Sequence, residues 1–204
     1  MQQAQEQLQH IQQIMERSSR MISLSGLSGV GAGVCALIGA AIARMHISNF
    51  LAADGAVFVP INTLEWQLVY TAFGTLLAAL LTALFFTWRK SKKDGVPLFG
   101  MASKRLIANT VFPMCVGAIM CLVFMLHRHY AYVAPSLLIF YGLGLVHGSK
   151  YTLGEVRYLG YVNVALGCIN LFLNHYSLLL WTLGFGVAHI VYGLLMWYRY
   201  ERKA

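Results

Sequence analysis

The sequence predicts an all-α integral membrane protein, a bundle of six transmembrane helices preceded by a short cytoplasmic amphipathic helix. Three observations predict it. Of 204 residues, 58% are hydrophobic and 11% charged, against about 25% charged in an average soluble domain, so too little charge is present to cover a water-facing surface. The apolar residues lie in long unbroken blocks, where a soluble core would alternate or follow a 3.6-residue period. The basic residues, which bring the net charge to +8, sit at the ends of those blocks without forming a continuous patch. They read as topology signals, and a nucleic-acid partner is not expected.

Residues 1–20 form the first expected element. Seven glutamines fall among the first thirteen residues, yet Met1, Ala4, Leu8, Ile11, Met15, Ser18 and Ile22 recur with 3,4 spacing, which is a heptad seam. Its apolar stripe is expected to lie on the membrane surface or the bundle, or to meet a second copy of the chain or a cytoplasmic protein partner. These residues contain no apolar h-region and no small-residue cleavage site, so no removable signal peptide is expected and the first span anchors itself.

Residues 21–204 are the expected transmembrane domain. A bilayer core about 30 Å thick needs about 20 apolar residues as helix, and blocks meet or approach that length at 21–43, 64–88, 106–125, 133–149, 153–174 and 177–197. The fourth is the shortest, and Pro135 near its start suits a first helical turn. Trp66, Trp88, Tyr130, Tyr132, Tyr158 and Trp197 lie near block ends, where interfacial aromatics belong. Thirteen Lys and Arg residues fall on one side of this six-span plan and two, Arg44 and Arg128, on the other. Retention of basic residues in the cytoplasm therefore sets both termini inside, in the cell (inner) membrane. The loop 45–63 is the main outer feature, and the run Arg89 to Asp94 reads as a solvated cytoplasmic loop with some attraction for acidic lipid headgroups.

Within the bilayer, helices associate through small residues and buried hydrogen bonds, because lipid gives them no hydrophobic drive to pair. Ser25, Gly29 and Gly33 repeat every fourth residue of the first span and give it a flat packing face. Gly160, Asn163, Gly167, Asn170 and Asn174 share one face of the fifth span, and Thr182, Gly186, His189 and Gly193 share one face of the sixth. A few residues around His175 join these spans, so they are expected to pack antiparallel. The pairs are Asn170 with Thr182, Gly167 with Gly186, Asn163 with His189, and Gly160 with Gly193. His189 is the most membrane-buried ionisable residue, and His189, Asn163, Asn170, Thr182 and His147 are the candidates for a ligand site or polar network. Thr152 to Glu155 reads as a capping box for the fifth span, and Pro113 as a kink in the third.

No catalytic constellation and no metal or cofactor site is expected. The four cysteines lie inside apolar blocks without zinc-type spacing and read as reduced structural residues. His127-Arg128-His129 supplies at most half a metal site and reads as a solvated turn. Gly26-Leu27-Ser28-Gly29 with Ala188-His189 resembles the Ser/His dyad of the rhomboid intramembrane proteases, over these few residues only. The resemblance implies a Ser28 nucleophile and a His189 base, although the rhomboid serine lies on the fourth span of the core and the family's other polar motifs have no counterpart here. Three functions follow in order of expectation. They are a non-enzymatic scaffold, sensor or accessory subunit; a small-solute transporter or channel using the Asn163/Asn170/His189 stripe; and an intramembrane enzyme.

Overall fold

The computed structural model describes residues 25–53, 61–95 and 100–202, and the regular structure there is helical. The helices are α1 (Gly26–Ala53), α2 (Ile61–Asp94), α3 (Met101–Leu126), α4 (Val133–Gly148), α5 (Val156–Phe172) and α6 (Asn174–Glu201). α6 is composite. A 3-10 turn and the α-helical Ser177–Trp181 lead into a π-helical segment, Thr182–Val187; α-helix resumes at Ala188–Met196 and a second π-helical segment, Trp197–Glu201, ends it.

Five of these helices, not the expected six, are long and apolar enough to cross a membrane: α1, α2, α3, α4 with its flanking 3-10 turns, and α6. α5 has 17 residues, about 26 Å at 1.5 Å per residue, which falls short of the roughly 30 Å hydrocarbon core. The reason lies at its ends. Ser149–Tyr151 form a 3-10 turn before it, and Leu173, at φ −111° and ψ 54°, stops the helix before another 3-10 turn at Asn174–Tyr176. Residues that an apolar count assigns to the helix are thus used in turning the chain. The first described helix, α1, is itself one of the five apolar helices, and the amphipathic helix expected over 1–20 lies outside the described residues. With several such helices, this is a multi-pass membrane protein.

Two further boundaries differ from expectation. α1 continues to Ala53 and α2 begins at Ile61, so most of the loop expected over 45–63 is helix; its residues 54–60 lie outside the described residues. α2 also runs on through the basic residues to Asp94, which makes Arg89 to Asp94 a final helical turn instead of a loop. Lys92 lies over the Trp88 ring, 4.3 Å from its centroid, and cations in a last turn favour the helix dipole.

Antiparallel neighbours meet through glycine. Gly31 and Gly39 of α1 face Thr82 and Thr75 of α2, Gly117 of α3 faces Phe140 of α4, and Gly144 and Gly148 of α4 face Thr110 of α3. α5 lies against α4, where a Cβ on Gly142 would stand 2.6 Å from the Gly160 carbonyl oxygen. α6 lies against α1, where a Cβ on Gly33 would stand 2.7 Å from the Gly186 carbonyl oxygen. α2 packs on α1, and its outer face, with Phe73, Leu76, Leu80 and Leu84 exposed, is left to lipid.

Polar contacts close the two ends of the bundle. At one end the Glu201 carboxylate accepts from the Gly26 backbone N–H at 2.6 Å, the Ser25 hydroxyl at 3.3 Å and the Lys90 ammonium at 3.4 Å. The start of α1, the end of α2 and the end of α6 are joined there. At the other end the Tyr130 hydroxyl donates to Glu65 of α2.

Candidate functional site

His189 of α6 is buried in the interior, against Tyr141 of α4. Its Nδ1 lies 2.9 Å from the Gly184 carbonyl oxygen and its Nε2 lies 2.5 Å from the Tyr141 hydroxyl oxygen. The carbonyl can only accept, so Nδ1 carries the proton. In the neutral ring Nε2 is then an acceptor, and the Tyr141 hydroxyl donates to it. Gly184 belongs to the π-helical segment, a form frequent at functional sites because its wider turn re-aims backbone groups. Phe185 stacks on the imidazole at 6.0 Å between centroids and contacts Tyr141 at 4.9 Å, while Trp181 backs Phe185 at 5.0 Å. Aromatic rings thus wall the histidine.

The asparagines of α5 take other partners than expected. Asn163 is fully buried; its side-chain N–H donates to the Leu159 carbonyl at 2.9 Å, and its Oδ1 has no hydrogen-bond partner among the described residues. That oxygen points at Gly184, whose Cβ, if present, would lie 2.8 Å away. The expected Asn163–His189 pair is therefore not formed. Asn170 accepts from the Ser177 hydroxyl at 2.8 Å and donates to the Ser177 carbonyl at 3.4 Å, and it does not meet Thr182. Thr182 donates to the Leu178 carbonyl at 2.6 Å within its own helix. His147 is exposed near the end of α4 and takes no part in the cluster.

The two small-residue stripes do not face each other either. Gly160 and Gly167 of α5 pack against α4, beside Gly142, Val146 and Ile139. Gly186 and Gly193 of α6 pack against α1, beside Gly33, Leu37, Gly26 and Val30, and Gly29 meets Gly193 there. Ser25 bonds Glu201 instead of a neighbouring stripe. The physical reason is that each face is a corner. On α5 the glycines turn to α4 and the asparagines to α6, and the π-helical segment shifts the phase of α6 so that Gly186 and His189 serve different neighbours.

Tyr141 and Ser177 were not singled out by the sequence pattern. Tyr141 carries a hydroxyl near the middle of α4, which was the available signal; a tyrosine reads first as an aromatic. Glu155, the residue before α5, makes no side-chain cap hydrogen bond, and its carboxylate, expected to cap that helix, accepts instead from Arg199 at 3.2 Å and Tyr200 at 2.6 Å. α3 continues through Pro113 as one helix. The Ser28 hydroxyl donates to the Ser25 carbonyl at 2.5 Å, so Ser28 and His189 are bonded to separate partners and form no dyad.

Among the described residues no group of three or more His, Cys, Asp or Glu side chains comes together to hold a metal ion. What the site does chemically is fix one imidazole orientation and tie α4 to α6 across the interior. No protein family, curated protein or solved structure matches the chain, so the polar lock at His189 stands on its own geometry.

Proposed function

We propose that the chain is a non-enzymatic scaffold or accessory subunit of the cell (inner) membrane, whose interior polar residues hold helices together instead of handling a substrate. The observation that supports this reading is the engagement of both His189 ring nitrogens by the protein itself. Nδ1 is held by a backbone carbonyl, which has no proton to pass on, and Nε2 by a tyrosine of a neighbouring helix, so both bonds serve to join and orient helices. The end of the bundle where Gly26, Lys90 and Glu201 meet carries Arg89, Lys92 and Lys93 as well, and the retention of basic residues sets that end in the cytoplasm. On this reading the start of α1 lies at the cytoplasmic face, and the partner is a second copy or a cytoplasmic protein.

The test removes residues 1–18 and, separately, replaces His189 by Gln. Scaffold function predicts that the truncation abolishes the assembly seen by native mass spectrometry of gently released protein, while His189→Gln lowers thermal stability and leaves the assembly intact. Solute movement in proteoliposomes of the purified chain that vanishes with His189→Gln or Asn170→Ala would refute it.

One observation favours transport as the second reading. The Asn163 Oδ1, buried without a partner among the described residues and beside a π-helical segment, is the kind of polar group that a small neutral solute would satisfy.

A further inference from the structure

The cytoplasmic-type end of the bundle holds a cavity of about 630 Å³ between the start of α1, the end of α2, Leu153 just before α5 and the end of α6. Its walls divide by chemistry. Phe86, Leu27 and Trp197 supply an apolar side, and Arg89, Lys90 and Lys93 supply three cations from one helical turn of α2. Two carboxylates, Asp94 and Glu201, also line it.

Glu201 is already committed. Its carboxylate sits between the Gly26 N–H, the Ser25 hydroxyl and the Lys90 ammonium, so it neutralises Lys90 and the positive end of the α1 dipole. Arg89 and Lys93 have no ion-pair partner among the described residues, and both are exposed. Two available cations beside an apolar wall, at the mouth of a cleft between membrane helices, match an amphiphile with an anionic head. Basic pockets in this position recognise lipid phosphate groups, and a guanidinium fork fits phosphate oxygens in pairs.

We infer that this cavity binds the phosphate headgroup of an anionic phospholipid, with Arg89 and Lys93 on the phosphate and Phe86 and Trp197 along the first part of the acyl chains. Glu201 stands beside the seat as the chain's own anion. It lowers the positive potential of the cavity, so the site takes a singly charged phosphodiester and resists denser anions. The inference needs only the membrane placement of the bundle and not the scaffold reading above.

The full chain is reconstituted in nanodiscs of phosphatidylcholine alone and of phosphatidylcholine with phosphatidylglycerol, and retained lipid is counted by native mass spectrometry. Phosphatidylglycerol is expected to be retained in preference. Replacing Arg89 and Lys93 together by Gln is expected to weaken that retention by about thirty-fold, the effect of removing two surface cations. Glu201→Gln is expected to strengthen it, a gain that a merely structural role for Glu201 would not give. Thermal unfolding in pure phosphatidylcholine verifies that the variants fold; should Glu201→Gln fail to fold, the Arg89/Lys93 variant decides. Equal retention of both lipids, or retention unchanged in the double variant, overturns the inference. Inorganic phosphate that stabilises the protein in phosphatidylcholine as much as phosphatidylglycerol does assigns the cavity to a soluble anion and overturns it as well.

Discussion

Tyr141 places one hydroxyl inside α4 and directs it to the Nε2 of His189, while the π-helical turn brings the Gly184 carbonyl to Nδ1. In lipid an interhelical bond of this kind is worth about 0.6–1.7 kcal/mol. Tyr141→Phe is accordingly expected to destabilise the bundle by that amount in a reversible unfolding titration, without changing how the protein inserts. Because the two groups satisfy each other, Tyr141→Phe combined with His189→Leu is expected to cost less than the two single changes together. Additive losses would mean that the bond contributes nothing. The sequence marks His189 plainly, since an ionisable group in an apolar block stands out. Its partner was hidden for a physical reason: pairing residues across a hairpin assumes an unbroken 3.6-residue period, and Thr182–Val187 does not keep it.

Among the helices, glycine sets which surfaces approach closely. At Gly142 an added Cβ would stand 2.6 Å from the backbone oxygen of Gly160, which no rotamer change can relieve, whereas at Gly74 nothing lies within 4 Å. Gly142→Ala is therefore expected to cost about 1–3 kcal/mol as α4 and α5 are forced apart. Gly74→Ala is expected to be neutral or to gain up to about 1 kcal/mol from helix propensity. Thermal melts of the two variants make the comparison, and equal effects would count against the close contact. The small-residue stripes were legible as surfaces of close approach. Their partners were not, because a stripe shows that something comes near without naming it: Gly186 and Gly193 lie on α1, and Gly160 and Gly167 on α4. The length of α5 is not legible for a similar reason, since hydropathy does not distinguish an apolar residue in a helix from one in a 3-10 turn.

For the molecule as a whole, the joining of Gly26, Lys90 and Glu201 at one end and of Glu65 and Tyr130 at the other makes its orientation testable. Cysteine is introduced singly at Lys93, His127 and Arg202, all exposed, and probed with a membrane-impermeant maleimide. Positions 93 and 202 are expected to label only after cells are permeabilised, and position 127 in intact cells. Labelling of position 93 in intact cells would invert the proposed placement. The Gly33–Gly186 and Gly29–Gly193 contacts between α1 and α6 also bear on how the protein is made. The first described helix leaves the ribosome about 160 residues before the one that covers it, a wait of roughly ten to thirty seconds at ordinary rates of synthesis. Throughout that interval its glycine face has no permanent neighbour, so biogenesis calls for something to shelter it, and a chain cut short before α6 should reach the quality-control proteases with that face still bare.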